Sequence, residues 1–394
     1  MASKLIQLLS NEGHTILNIT DNILCNLGIA DIFVLHATCR ALRWLLGQMT
    51  ESPYFLNVNK QLQHYFRDPS GFRRELGKCD GIICGAFVQN FLECNSYRNP
   101  ILEIFIQEGP KSYQFIGYLL SLDEVGVNDR CSYGDETCYL LSANDPSRVI
   151  RVKKRYKPPI VELINEAIAS VDLNFMTWNK GYSLLPVATV QKHKFYLIKP
   201  FRRSMGLGLG LERLARLGWT TRDLIWPDEN RHWVPPGELH QIGGPKTLII
   251  ELANPPDGEF TPDFFVESGI FSITRHQLNI HQEIVIVAEP SLPCLALRYQ
   301  YVVPYFGQEA ESWLEFVRKK LNRWMFIEFA KMHSNSTPPG FNIALGPEGL
   351  IVPSGYNPPP EESWTFADDQ IGPWFAEWKR EYEAKKRSGH IMPF

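Results

Sequence analysis

Two consecutive stretches, CDGIICGAFVQNFLE at residues 79–93 and ILEIFIQEG at residues 101–109, change their hydrophobic period twice. Ile82, Ile83 and Cys84 form a short apolar run of strand type, Gly85 breaks it, and Phe87, Phe91 and Leu92 then recur at helical spacing. The second stretch is mainly apolar again and reads as a strand. A unit of strand, glycine turn, helix and strand restricts the chain to architectures in which helices cover a sheet.

The order resembles the opening of the nucleotidyltransferase fold, in which a Gly-Ser turn cradles a triphosphate and an Asp-x-Asp pair on the next strand holds the metal. That chemistry needs a backbone able to approach phosphate closely and two carboxylates on one strand face to bind Mg²⁺. Carried over residue by residue, the pattern puts Gly85 at the glycine, Ala86 at the serine, Ile101 at the first aspartate and Glu103 at the second. The hydroxyl and one carboxylate are gone. A lone Glu103 cannot hold two ions, so the resemblance implies no catalytic residue, no metal and no cofactor. Gly85, Glu103 and Asp172 stay as possible ligand-binding residues of a pocket without chemistry. The plainer reading makes Glu103 an ordinary polar residue on a sheet edge or pocket rim. Asp172, placed in the NFMT strand, is read as facing solvent at a strand end, the alternative being a pairing with Glu103 that rebuilds a metal site.

A helical head precedes this unit. Leu17, Ile19, Ile23, Leu24 and Leu27 fall at helical intervals, and from Asp31 a second helix puts Ile32, Leu35, Cys39, Leu42 and Leu45 on one stripe, with Arg40 and Arg43 near its end. Helices this short bury no sizeable core alone, so their apolar faces must meet the rest of the chain or another protein. Together with Asp21, these residues are similar in order to an F-box. The match departs at Asn18, where that family prefers Pro, and at Ala41 and Leu42, which replace its x-Trp pair. The resemblance implies that Leu17, Ile19, Ile23, Leu24, Leu27, Asp31, Cys39 and Arg40 grip the Skp-type linker of a cullin-RING ubiquitin ligase. The bland counterpart is an amphipathic cap packed only on its own chain.

Further stretches extend the likeness: residues 160–197, GLERLARLGWTTRD at 210–223, HQIGGPKTLIIEL at 240–252, LRYQYV at 297–302 and WLEFVRKKLNRWMFIEFAKM at 313–332. With the head, they resemble a family of uncharacterised fungal proteins in which an F-box-like head precedes a degenerate nucleotidyltransferase-like body. Where those relatives carry an Arg-Arg-x-Gly-Asp turn, this chain has His240, Gln241, Ile242, Gly243 and Gly244, so an anion at that turn would be held less well. The expected fold class is α+β. An F-box-like helical head (1–50) and a connector (51–76) lead into a mixed-sheet nucleotidyltransferase-like body with an antiparallel extension (77–332), followed by a Pro-rich linker (333–363) and a C-terminal helix (364–394). Within the extension, TLIIEL, FFVESGIFSITR, EIVIVAEP and CLALRYQYVV read as strands. Trp374, Trp378 and Tyr382 make an aromatic stripe on the last helix, read as docking back on the body.

Composition narrows the partners. A net charge of -3 over 394 residues gives no general attraction to nucleic acid or to an anionic membrane, so any such contact would have to be local. Lys153, Lys154 and Arg155 form a basic run, but aromatic residues do not interleave with it in sequence as a single-strand groove requires, and nucleic acid is not expected. No run of apolar residues reaches membrane-spanning length. The 8 cysteines lack both CxxC pairing and the density of a secreted scaffold, and read as reduced thiols of a cytoplasmic or nuclear protein. Gly206, Gly208 and Gly210 miss the dinucleotide fingerprint because its last position is Leu211. The functional expectation is an interaction protein, a substrate adaptor of a ubiquitin ligase with an unknown target protein. A nucleotidyltransferase or a non-catalytic nucleotide binder is the alternative.

Overall fold

A computed structural model describes residues 29–38, 56–94, 101–127, 136–141, 148–198, 211–212, 214–216, 218–223, 239–278, 281–287, 294–299, 308–333, 336–353 and 364–388, with Leu27, Leu42, Met49, Leu292, Tyr301 and Tyr356 singly. Its elements in chain order are α1 (Ile29–Thr38), α2 (Val58–Leu62), α3 (Pro69–Lys78), β1 (Ile82–Cys84), α4 (Ala86–Leu92), β2 (Ile101–Gln107), α5 (Pro110–Ser121), β3 (Val125–Val127), β4 (Glu136–Leu141), β5 (Val149–Arg155), α6 (Pro159–Glu166), β6 (Asn174–Met176), β7 (Lys180–Ser183), β8 (Lys194–Leu197), β9 (Thr220–Asp223), β10 (Leu239–Gln241), β11 (Leu248–Glu251), α7 (Phe264–Glu267), β12 (Ile270–Leu278), β13 (His281–Val287), α8 (Gln308–Lys331) and α9 (Ile371–Arg387). They fall into two compact units. The first takes residues 1–235, 245–261 and 275–286, and the second takes 236–244, 262–274 and 287–394.

The first unit is built on a mixed sheet in the order β11-β7-β6-β1-β2-β5-β4-β3. β2 and β5 run parallel, from Ile101 beside Val149 to Gln107 beside Arg155, while β1 pairs antiparallel with β2 and β6. Alternation along the strands sends Leu102, Ile104, Ile106, Ile150 and Val152 to one face, where they bury against Phe72, Leu76, Phe87, Phe91, Phe115 and Leu119 of α3, α4 and α5. Each such side chain contributes about 1.5–3 kcal/mol when fully covered. Ile29 and Ile32 of α1, with Leu42 and Met49, join the same core.

Local chemistry fixes where α3 begins and what it holds. The Asp68 carboxylate accepts the Gly71 N–H at 2.9 Å, and Pro69 opens the helix with a φ already suited to it. Four positions on, Arg73 is almost wholly buried. Its guanidinium donates to the carbonyls of Trp178 (2.8 Å), Ala253 (2.9 Å) and Asn254 (3.1 Å) and to Asn59 Oδ1 (2.9 Å). One side chain thus ties the turn after β6 and the segment after β11 to α3. Phe260 packs on Trp178 with ring centroids 4.0 Å apart and planes tilted by 34°, over Gly77, where a Cβ would strike both rings.

The second unit centres on α8 and α9. Trp313, Val317, Leu321 and Phe329 of α8 bury against Trp374, Phe375 and Trp378 of α9 and against Trp364. The aromatic stripe of α9 therefore docks on its own unit, with Trp378 and Trp313 centroids 5.5 Å apart. Within the Pro-rich stretch, Phe341 rests against Phe326 and Phe329 of α8, at 5.6 and 5.7 Å between centroids.

The structure alters four sequence expectations. TLIIEL is a strand, β11, but it pairs with β7 at the edge of the large sheet. FFVE is the short helix α7. Residues 294–299, expected as part of a strand, form turns instead, because the Asp368 carboxylate accepts the N–H groups of Arg298 (2.9 Å) and Tyr299 (3.1 Å) that a ladder would need. Asp172 lies in a 3₁₀ turn, Ser170–Leu173, one step before β6 and not in a strand. The fold class is mixed α/β: helices packed on a sheet of mixed strand direction.

Candidate functional site

The second face of the large sheet is apolar around Ile82, Phe105, Phe175 and Tyr182 and turns charged toward β5. Register places Cys84 of β1 beside Glu103 of β2, and Glu103 beside Arg151 of β5. Phe105 then meets Lys153, and Gln107 meets Arg155. The period of two along RVKKR puts Arg151, Lys153 and Arg155 on this face and Lys154 on the other. Glu103 Oε1 accepts from Arg151 Nη1 at 2.9 Å. Glu166, in the last turn of α6, accepts from Arg155 Nε at 2.8 Å and Lys153 Nζ at 3.3 Å, and that ammonium lies 4.9 Å from the Phe105 ring centroid. Cations and carboxylates alternate across the face and all are half-buried. Individual pairs of this exposure are worth about 0.2–1 kcal/mol, so the network sets positions more than it adds stability.

Gly85 and Glu103, two of the residues singled out from sequence, come together here. Gly85 has φ 73 and ψ -150, a left-handed backbone that favours glycine. A Cβ at Gly85 would collide with the Glu103 carboxylate, so the glycine both turns the chain into α4 and leaves room for the acid. Asp172 is engaged by the backbone just before it. Its Oδ2 accepts the backbone N–H groups of Ile168 (3.0 Å) and Ala169 (2.9 Å), so it neither faces solvent at a strand end nor completes a metal site. Burial pushes its carboxyl above the ordinary carboxylate range, and the negative charge of Glu103 acts in the same direction. The Cys84 thiol, enclosed on this face, is held well above its usual value, chiefly by burial and then by Glu103.

The Mg²⁺ that an intact Asp-x-Asp pair would hold does not fit these residues. Magnesium takes a near-octahedral shell of hard oxygens. Here the pattern positions hold Gly85, Ala86, Ile101 and Glu103, and an oxygen of Glu103 is engaged by a guanidinium. Among the described residues no group of three or more His, Cys, Asp or Glu side chains is placed to hold a metal ion.

On the helix side of the sheet, Gln89, Glu93, Asn174, Thr189, His193 and Trp219 line a cavity of about 10 Å³, room for roughly one water. The Trp219 indole N–H donates to Glu93. Sequence reading missed Arg151 and Glu166. The available signal was the cation at every second position of RVKKR, which on a strand means one charged face.

Of the residues expected to meet a partner, Leu27 packs against the unit's own core and Asp31 is exposed on α1. Ile32 of the same stripe is fully buried in that core. Leu17, Ile19, Ile23, Leu24, Cys39 and Arg40 lie outside the described residues.

No protein-family model and no curated protein matches the chain. Among solved structures, a CCA-adding enzyme in complex with CTP is similar at 14% identity and a TM-score of 0.32, over 44% of this chain and 44% of that one. This chain therefore spans less than half of that enzyme's length, and a likeness at this score transfers no activity. Among the described residues no helix is long and apolar enough to cross a membrane.

Proposed function

We propose that this chain is a non-catalytic interaction protein built on a nucleotidyltransferase-like sheet. One observation carries the reading: Arg151 Nη1 sits 2.9 Å from Glu103 Oε1, so the one acid left on the β2 face is matched by a cation from the neighbouring strand. Phosphoryl transfer depends on metal ions and positioned charge that neutralise the developing transition state. A carboxylate already engaged by a guanidinium is poorly placed to take up a metal. The charged face then acts as a positioned set of side chains and performs no chemistry. The test is incubation of the protein with labelled nucleoside triphosphates and Mg²⁺ or Mn²⁺. No label is transferred by wild type on this reading, whereas transfer that disappears in Glu103→Ala would establish an enzyme.

The partner in this proposal comes from the head. Leu17, Ile19, Ile23, Leu24, Asp31, Cys39 and Arg40 would engage the Skp-type linker of a cullin-RING ligase, with Leu27 kept for the chain's own core, and the body would present the target-binding surface. Support for this part is the F-box resemblance of the sequence. Capture of the linker by wild type, with loss in the Ile23→Asp and Leu24→Asp double variant, is the expected result, and equal capture by both removes the adaptor role.

A further inference from the structure

A chain whose net charge is -3 can meet nucleic acid only through a local patch. The corner where β5 runs out has the chemistry of one. Tyr156, just past β5, is 76% exposed, and Tyr113, in the first turns of α5, is 59% exposed. These are the only aromatic side chains among the large exposed hydrophobic residues of the described chain. Lys154, on the face of β5 opposite the Glu103 network, places its ammonium 5.9 Å from the Tyr113 ring centroid. Lys111 and Lys157 are exposed alongside.

Hydrogen bonds and two prolines constrain the backbone of this corner. The Tyr156 carbonyl accepts from Gln107 Nε2 at 3.0 Å, the Glu108 N–H donates to the Arg155 carbonyl at 2.7 Å, and Pro158 and Pro159 follow after Lys157. Two exposed phenol rings on fixed backbone lose little freedom when something stacks on them. The neighbouring charges then decide the kind of partner. Lysine is depleted in protein–protein interfaces, whereas rings flanked by lysines are how single strands are held. Acids moderate the field: Asp80 pairs with Lys111 at 2.8 Å, Glu162 lies within electrostatic reach of Lys157, and Glu108 is exposed. Stacking, more than phosphate contact, must therefore supply the affinity.

We propose that this corner binds single-stranded nucleic acid, with Tyr113 and Tyr156 stacking on unpaired bases while Lys154, aided by Lys111 and Lys157, meets the backbone phosphates. In a duplex the bases are already stacked on one another, so the surface discriminates by strandedness and not by sequence.

Fluorescence anisotropy of labelled ribo- and deoxyribo-oligonucleotides of about ten residues, single-stranded and as the matching duplexes, tests this. Expected is single-strand binding with a dissociation constant of roughly 10⁻⁴–10⁻⁶ M and a shallow dependence on salt. Tyr156→Ala and Tyr113→Ala should each weaken it by about tenfold, the loss of one base–aromatic stack. Lys154→Ala should weaken it less. Both tyrosines are exposed, so their variants should keep the wild-type unfolding midpoint. The ribo and deoxyribo arms show whether RNA or DNA is preferred, and either preference supports the proposal. Absence of binding to single strands, equal binding of duplex, or wild-type affinity in the Tyr113→Ala and Tyr156→Ala double variant would overturn it.

Discussion

Gly85 shows how a single position can be required twice. Its left-handed φ of 73 costs any residue with a Cβ, and the Cβ itself would meet the Glu103 carboxylate. Gly85→Ala should lower stability by about 1–3 kcal/mol in urea unfolding. In a Glu103→Ala background the same change should cost less, because only the backbone strain remains. Asp172 makes a pH-dependent prediction. Unfolded, its carboxyl ionises near the ordinary value of about 3.9, whereas burial holds the folded carboxyl higher. Through that window the folded state keeps a proton that the unfolded state has lost, so stability falls as pH rises and the cost is fully present above the folded value. Asp172→Asn should flatten this part of the stability–pH profile, and an unchanged slope would contradict the assignment. Arg73 is a third case. Burial lowers its guanidinium to about 10, still protonated at neutral pH. Arg73→Met strands the carbonyls of Trp178, Ala253 and Asn254 and should cost roughly 3 kcal/mol, read from the unfolding midpoint.

At the scale of elements, period was a reliable guide where one face is buried and an unreliable one where a side chain captures the backbone. The strand, glycine turn, helix and strand around Gly85 were legible because Ile82–Cys84, Phe87, Phe91 and Ile101–Gln107 carry clean strand and helix spacings. The turns of residues 294–299 were not, because the decisive group is Asp368, far along the chain, whose carboxylate also accepts the Tyr301 hydroxyl at 2.9 Å. Asp172 was misplaced for a similar reason: two backbone N–H groups satisfy it locally and start a 3₁₀ turn where apolar content suggested a strand. The docking of α9 followed from the spacing of Trp374, Trp378 and Tyr382. Trp378→Ala should destabilise the second unit by about 3–5 kcal/mol, since it empties a site against Trp313 and Phe375 and strands Ser312, which accepts the indole N–H at 3.1 Å. Calorimetry should show this as a fall in the transition of that unit.

On the scale of the whole molecule, the sheet places residues that sequence keeps apart. Glu103 and Arg151 are 48 positions apart and share one hydrogen bond. Tyr113 and Lys154 are likewise distant in sequence and meet at one corner. Glu103 and Gly85 could be singled out from a motif, but Arg151, which engages Glu103, sits on a parallel strand whose register no local pattern reveals. In the proposed function, Arg151 holds the acid that a metal would otherwise need. A double-mutant cycle of Glu103→Gln and Arg151→Met, followed by urea unfolding, measures that hold directly. Expected is a favourable coupling of about 0.5–1 kcal/mol, the double variant losing less than the two single losses together. Strictly additive losses would mean the pair is not engaged, and the carboxylate would be free for the chemistry denied to it here.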